Sequence, residues 1–349
     1  MFRALSVLGS WFTDISEKPK QQITVVGYGW ATHSFIQKID YRKYTVRVIS
    51  ERPGFLNQPG LVAAITGDPA AALLMPTRCP ILQDSCLSVD LSANLILGTK
   101  EQYPYDLLVI AAGSEPNDFK IPGIRAFCHM FKSEHDLLAL QAILPTKKSV
   151  VVMGAGPTGI ELACCLRSMG LNVSIVEASA QILPGFSEAM RQRTEKVLEK
   201  NGIIVHRASP ILGVTEGVIR TKQGDLPWSQ QTDLLLWTCG VRPVPFMSSF
   251  RVNGSLQVEG TSNVWAMGDC IVGRGPVLGP VFGPVFGPPT AQNARQQGVY
   301  LADQLNGSTR QPYSYHEIGR VLDLTYGYLI EIFGVCFYIP ADFFMQVAF

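Results

Sequence analysis

Runs of β-branched and other apolar residues recur along the chain, and most end on glycine and pass into a helix-period stretch. Residues 150–153 (VVVM) lead into Gly154-Ala155-Gly156-Pro157-Thr158-Gly159, then an apolar helix, then a second strand at 173–176 (VSIV) ending on Glu177. Residues 23–29 (ITVVGYG) repeat the opening, with Gly27 and Gly29 in the first two glycine places and Thr32 in the third. A helix to about Ile39 and a strand at 44–50 (YTVRVIS) follow, and Ser50-Glu51 stands at the strand end. Continuous apolar strands separated by helices predict parallel sheets covered on both faces.

Each place in the fingerprint has a physical job. Gly154 permits the tight turn, Gly156 lets a pyrophosphate approach the backbone, and Gly159 lets helix and strand pack closely. The helix N-terminus offers unpaired N–H groups to phosphates. Glu177, twenty-three residues past Gly154, is placed to accept hydrogen bonds from an adenosine ribose; Glu51 is its counterpart in the first unit, one residue late.

The motif has a partner further on. Residues 105–110 (YDLLVI) close on Gly113 and Pro116, and 234–243 (LLLWTCGVRP) on Gly240 and Pro243. Gly27 to Gly113 is 86 residues, and so is Gly154 to Gly240. Two units of one length, each opening on a dinucleotide fingerprint and closing on strand-Gly-x-x-Pro, predict two successive nucleotide-binding domains.

Between and after these units the pattern is plainer. Residues 53–80 are rich in Pro, Gly and Ala, with a short helix expected at 69–75. Small strands are expected at 87–91 and 94–97, and a helix at 187–201 with Ser187 as N-cap and Gly202 past its end. Residues 263–271 (NVWAMGDCI) form a strand presenting Gly268-Asp269, where the acid serves either a ribityl or ribose hydroxyl or a helix cap. A Pro-Val/Leu/Phe-Gly repeat over 273–289 excludes helix. The helix at 290–305 puts Gln292 and Gln296 on one face. The tail at 313–349 holds an apolar run interrupted by Glu331 and Pro340, short of the roughly 20 residues a membrane span needs. It is expected to lie in an interface, at a membrane or between subunits, or to cover the first unit. The opening stretch 1–12 reads as an organelle presequence, an interfacial anchor or a frayed tail.

Composition narrows the partners. A formal charge of +1 with no basic stripe argues against nucleic acid. Eight scattered cysteines include no C-x-x-C and no zinc-like spacing, so no metal site is expected. No two cysteines stand at C-x-x-C or C-x-x-x-x-C spacing, which argues against a redox dithiol.

The segments VVGYGWATHSFIQKID, YDLLVIAAGSEPNDFKIPGI, VVVMGAGPTGIELA, VEASAQILPGFSEAM, LLLWTCGVRP, NVWAMGDCI and PPTAQNARQQGVYLA resemble the type II NADH dehydrogenases, within the flavoproteins that carry two dinucleotide-binding domains. The resemblance covers most of 23–305. It implies an α/β fold of two Rossmann-like domains in a glutathione-reductase-like tandem. An FAD domain (21–130 and 244–312) would be interrupted by an NADH domain (131–243), with tails at 1–20 and 313–349. It implies FAD at Gly27, Gly29, Thr32, Glu51 and Gly113, with Gly268-Asp269 on the ribityl chain or a nearby phosphate. NADH would bind at Gly154, Gly156, Gly159, Glu177 and Gly240. Glu161 is similar to a family glutamate near the nicotinamide, and Gln292 and Gln296 to paired glutamines beside a quinone.

Read from the residues alone, Glu161 equally compensates a helix dipole, and the glutamines are equally surface polar groups. The activity implied is hydride transfer from NADH to flavin, then two-electron reduction of a quinone. The implied setting is peripheral to the mitochondrial inner membrane, or to the cytoplasmic face of a bacterial plasma membrane, in a possible homodimer. The sequence departs from the family in a shorter stretch before YDLLVI, a short divergent C-terminus, and the 273–289 repeat. Two other readings stand beside it: a ferredoxin- or rubredoxin-type reductase, and a non-catalytic FAD/NAD(H)-binding protein, apoptosis-inducing-factor-like or degenerate.

Overall fold

The computed structural model describes residues 19–67, 74–75, 77, 79–271 and 286–340. The N-terminal stretch, most of the 273–289 repeat, most of the helix expected at 69–75 and the last nine residues lie outside them. Leu74–Met75, the end of that expected helix, are instead a short strand paired antiparallel with Phe55–Leu56.

The first unit opens with β1 (Gln21–Val26), α1 (Trp30–Lys38) and β2 (Tyr44–Ser50), followed by β3 (Ile81–Gln83) and β4 (Leu107–Ile110). Ile23, Val25, Val48, Leu108 and Val109 have no exposed surface, as parallel strands covered on both faces require. The second unit repeats the plan. Its elements are β5 (His129–Met130), α2 (Glu134–Ile143), β6 (Ser149–Met153), α3 (Pro157–Ser168), β7 (Asn172–Val176), α4 (Glu188–Lys200), β8 (Ile204–His206) and β9 (Asp233–Trp237). Each unit also carries a three-stranded antiparallel meander: Cys86–Asp90, Leu95–Gly98 and Gln102–Pro104 in the first, and Ile211–Thr215, Val218–Thr221 and Gly224–Pro227 in the second.

The two five-stranded parallel sheets have one order. The second runs β5-β9-β6-β7-β8. The first runs β10-β4-β1-β2-β3, its edge strand β10 (Val264–Ala266) arriving from beyond the second unit. The chain is therefore a tandem of Rossmann-like sheets. The units are joined by a two-stranded ribbon in which the two Gly-x-x-Pro segments pair with each other. Ser114–Pro116 runs antiparallel to Val241–Pro243, and Glu115 faces Arg242.

Helix α5 (Ala291–Asn306) lies against α1, so closely that a Cβ on Gly298 would sit 2.2 Å from the Ala31 carbonyl oxygen. After α5 come three antiparallel strands, β11 (Gly319–Asp323), β12 (Gly327–Ile332) and β13 (Val335–Pro340). Leu322, Leu324, Leu329 and Cys336 point inward and share a core with Leu162, Leu166 and Met190 of the second unit. The three strands of the tail thus cover the second unit, as a sheet, while Tyr313 at its start packs into the core of the first.

Candidate active site

Five helices of eight residues or more are described, and their N-termini divide cleanly. The Ser133 hydroxyl accepts from the Asp136 N–H in a capping box on α2; Ser187 and Thr290 cap α4 and α5 in the same sense. Helices α1 and α3 have glycine N-caps, Gly29 and Gly156, with no side-chain cap and no acid in the first turn. Both glycines face open space, with nothing within 4 Å of a built Cβ. The two helix ends left uncapped are those of the two fingerprints, and each is a ready anion site.

The turns that bring the backbone there are tight. Gly27 has φ +92°, and a Cβ on it would lie 2.3 Å from the Ala111 carbonyl oxygen; Gly154 has φ +106°. Gly159 has no room at all, since its Cβ would be 2.0 Å from the Gly154 carbonyl oxygen. Thr32, at the matching place in the first unit, is fully buried and donates its hydroxyl to the Gly27 carbonyl at 2.8 Å. Gly113 and Gly240, both at positive φ, start the two strands of the connecting ribbon.

Around the first fingerprint, polar groups lack partners. Among the described residues, Trp30 Nε1, His33 Nδ1 and Arg52 Nε are buried with no hydrogen bond. Phe55 packs its ring against Tyr28, Trp30 and His33, with centroids 6.0, 4.8 and 4.6 Å away. Burial lowers the pKa of His33, and Arg295 adds to the fall. An open glycine cradle, an uncapped helix and orphaned polar atoms suit a polar dinucleotide such as FAD. Glu51 is exposed and accepts from Ser85 Oγ at 2.9 Å.

At the carboxyl end of the first sheet, Asp269 follows Gly268 in a short 3-10 turn, Gly268–Ile271. Asp269 Oδ2 accepts from Ser114 Oγ at 2.9 Å, and the Lys132 ammonium lies 3.8 Å from the same oxygen. Gln297, almost fully buried, accepts the Gly268 N–H at 2.6 Å.

In the second unit, Glu177 is buried and turned toward the fingerprint. Its Oε2 accepts the Ala155 N–H and its Oε1 the Ser179 N–H, both at 2.7 Å. Gly156 leaves the cradle open beside it, so the residues fit a dinucleotide here as well. Glu161, one turn into α3, accepts the Asp323 N–H of β11 at 3.2 Å. Burial pushes its carboxyl up to about 7; the Asp323 amide works against that rise and the Asp323 carboxylate adds to it.

Gln292 and Gln296 face the chain's own C-terminal segment. Gln292 donates to the Gly319 carbonyl and accepts from Tyr315 Oη and the Ile318 N–H. Gln296 holds His316 at two points, donating to its carbonyl at 2.6 Å and accepting its N–H at 3.0 Å. The segment leading into β11 is thus fastened to α5 at one end and to Glu161 at the other. Sequence reasoning missed Ser114, Lys132 and Arg52, which carry no motif. Gln297 had a signal, since it shares the buried helical face of Ala294, Gly298 and Leu301.

Two glycine-cradled helix ends on twin parallel sheets define a tandem Rossmann-like, dinucleotide-binding type of fold. A family profile for pyridine nucleotide-disulphide oxidoreductases matches residues 21–298, and the chain belongs to that family. Despite the family's name, all eight cysteines are free. Among curated relatives, the chain is 28% identical to an external alternative NADH-ubiquinone oxidoreductase, mitochondrial, of Yarrowia lipolytica, over 87% of this chain and 62% of that protein. It is also 28% identical to an external alternative NAD(P)H-ubiquinone oxidoreductase B2, mitochondrial, of Arabidopsis thaliana, over 72% and 54%. The chain thus spans somewhat over half the length of these relatives. The fold matches NDH2 from Plasmodium falciparum, solved with NADH, at TM-score 0.81 and 18% identity over 95% of this chain and 94% of that one. It also matches a ferredoxin reductase from Rhodopseudomonas palustris at TM-score 0.77 and 20% identity, over 89% and 82%.

Proposed function

We propose that the protein is an FAD-dependent NADH:quinone oxidoreductase. The observation that carries the reading is the pair of uncapped, glycine-cradled helix N-termini on two sheets of one order, one for each dinucleotide. The curated relatives named above supply the acceptor class. Bound FAD would supply the redox chemistry, accepting hydride from NADH and passing electrons on.

The chain's own residues would bind and orient. The α1 and α3 N-termini hold the two pyrophosphates, Asp269 the flavin's ribityl chain or a nearby phosphate, and Glu177 the adenosine ribose of NADH. Glu177 is followed by Ala178-Ser179, so a 2′-phosphate would meet a buried carboxylate, which favours NADH over NADPH. Glu161 lies where α3 meets the C-terminal segment and would border the nicotinamide. Gln292 and Gln296 would act at the quinone through the segment they fasten.

The decisive experiment is the visible spectrum of the purified protein under anaerobic addition of NADH, then of a soluble short-chain quinone. A flavin band that bleaches with NADH and returns with quinone is expected. A band that bleaches and does not return assigns another acceptor; a bound flavin that NADH leaves oxidised overturns the enzyme reading in favour of a binding protein.

Attachment to a membrane face belongs to the same reading. No helix among the described residues is long and apolar enough to cross a membrane. The outward face of the C-terminal sheet is apolar: Val321 pairs with Ile330 and Ile330 with Phe337, while Phe333 at the β12–β13 turn is 92% exposed. Such a face would sit at an interface. Co-sedimentation with phospholipid vesicles that Phe333→Ser and Phe337→Ser weaken would support it. Self-association without vesicles would give the face to a second copy.

A further inference from the structure

Lys132 belongs to the second unit by its backbone and to the first by its side chain. Its N–H donates at 2.9 Å to Asp136, the partner of Ser133 in the α2 capping box, and its carbonyl accepts from Gln58 Nε2 at 3.3 Å. Its ammonium crosses the seam and donates to Ser114 Oγ at 2.9 Å. That hydroxyl passes its own proton toward Asp269 Oδ2, also at 2.9 Å. Lys132 follows β5, Asp269 follows β10 and Ser114 opens the ribbon strand that comes after β4, and the three meet where the carboxyl edge of the first sheet faces the second unit. Their charged side chains are largely buried, 23% exposed for Lys132 and 19% for Asp269.

A lysine this far from water needs a reason. Burial lowers its pKa, Asp269 opposes the fall, and Arg52 reinforces it. Arg52 is a second cation at the same place, held at the end of β2 with its Nε unpartnered. Both contacts made by Ser114 and Lys132 fall on Oδ2 of Asp269, which leaves Oδ1 as an acceptor. A surface ion pair would be free to slide; this one is fixed at both ends by backbone caps and by a hydroxyl relay.

We propose that Lys132 is a positioning residue for flavin bound at the first fingerprint: it orients Asp269 through Ser114 and brings a positive charge to that flavin from the second unit. The proposal rests on the FAD reading above. One side chain then sets flavin affinity and favours the electron-rich reduced flavin.

The test uses the full chain stripped of flavin, with FAD titrated by fluorescence quenching and the flavin midpoint potential measured spectroelectrochemically, without NADH or quinone. Lys132→Met is expected to weaken FAD binding by about tenfold or more, the size of a lost charge-assisted hydrogen bond, and to move the potential to a more negative value. Lys132→Arg is expected to restore the potential, since the charge persists. Ser114→Ala is expected to weaken binding severalfold and leave the potential near that of the unaltered protein. It also serves as the second variant if Lys132→Met does not fold. Equal affinity and potential in Lys132→Met and the unaltered protein would overturn the proposal while leaving FAD binding intact. An unaltered protein that takes up no FAD would instead overturn the FAD reading on which it rests.

Discussion

Thr32 returns a hydrogen bond to Gly27, its hydroxyl 2.8 Å from the carbonyl oxygen five residues earlier. In the second unit the matching Gly154 carbonyl is approached instead by the hydroxyl of Thr238, from the end of β9, at 3.2 Å. The Thr238 hydroxyl makes its shorter bond, at 2.8 Å, to the Met153 carbonyl. A glycine is needed at 159 because a Cβ there would sit 2.0 Å from the Gly154 carbonyl oxygen, whereas the first unit fills the matching place with a threonine bonded back to the turn.

The two positions should therefore answer differently to small changes. Thr32→Ser keeps the bond and should leave stability nearly unchanged. Thr32→Val keeps the shape and strands the Gly27 carbonyl, costing about 1–3 kcal/mol. Gly159→Ala would put a Cβ 2.0 Å from the Gly154 carbonyl oxygen. It should abolish NADH binding while FAD, held by the other unit, stays bound. Chemical denaturation and separate FAD and NADH titrations check all three; retained NADH affinity in Gly159→Ala would refute the packing argument.

The parts of this fold that the sequence shows are the local ones. The spacing of Gly27, Gly154 and Gly159 beside their apolar strands announces twin sheets, because each strand–turn–helix is contiguous in the chain even where the packing partner, Ala111 for Gly27, is distant. Ser187 and Gly202 bracket their helix for the same reason. Pairing of the two Gly-x-x-Pro segments is invisible in the chain, since Glu115 and Arg242 meet only after both sheets form; they lie 2.7 Å apart. Lys132 was hidden likewise, a lone lysine in a connector. The C-terminal hairpin was obscured because both of its faces are apolar: Leu322 and Leu329 point inward, Val321 and Phe337 outward, and the two-residue period reads as one continuous run.

Glu177 binds the backbone of its own unit, and this gives it two roles to separate. Its oxygens satisfy the Ala155 and Ser179 amides, so Glu177→Ala strands two N–H groups at the fingerprint turn. NADH affinity is expected to fall about tenfold to a hundredfold, the scale of lost hydrogen bonds to a charged group. Preference over NADPH should narrow as the carboxylate is removed. Glu177→Gln retains one acceptor oxygen and should lie between. Titration of both nucleotides against the three proteins checks the order.

Glu161 makes stability depend on pH in a direction opposite to most carboxylates. Burial raises its carboxyl to about 7 in the folded chain, whereas an unfolded glutamate titrates near about 4.3. The folded chain therefore holds the proton more tightly between those values. The stabilisation is fully present below the unfolded value and is lost as pH rises through about 7. Glu161→Gln has no proton to lose there, so the gap between the unaltered protein and this variant should shift against the unaltered protein from pH 5 to pH 8. Urea midpoints for both across that range measure it; parallel curves would show that Glu161 titrates as an exposed acid.

Gln292 and Gln296 hold the C-terminal segment mainly through its backbone groups, with the Tyr315 hydroxyl as a side-chain contact. Gln296 in particular both donates to and accepts from His316, and Gln292 takes Tyr315, Ile318 and Gly319. These contacts fasten the stretch that leads into β11, whose Asp323 amide reaches Glu161. Replacing both glutamines with alanine removes five hydrogen bonds from one stretch, four to its backbone and one to the Tyr315 hydroxyl. Limited proteolysis should then cut faster within 313–319, with the parallel sheets still intact by circular dichroism. In the proposed reaction, reoxidation of the flavin by quinone should slow while its reduction by NADH persists, because the glutamines belong to the first unit and the nicotinamide site to the second. Slowed reduction by NADH with unchanged proteolysis would show that they act on the flavin directly and not through the segment they fasten.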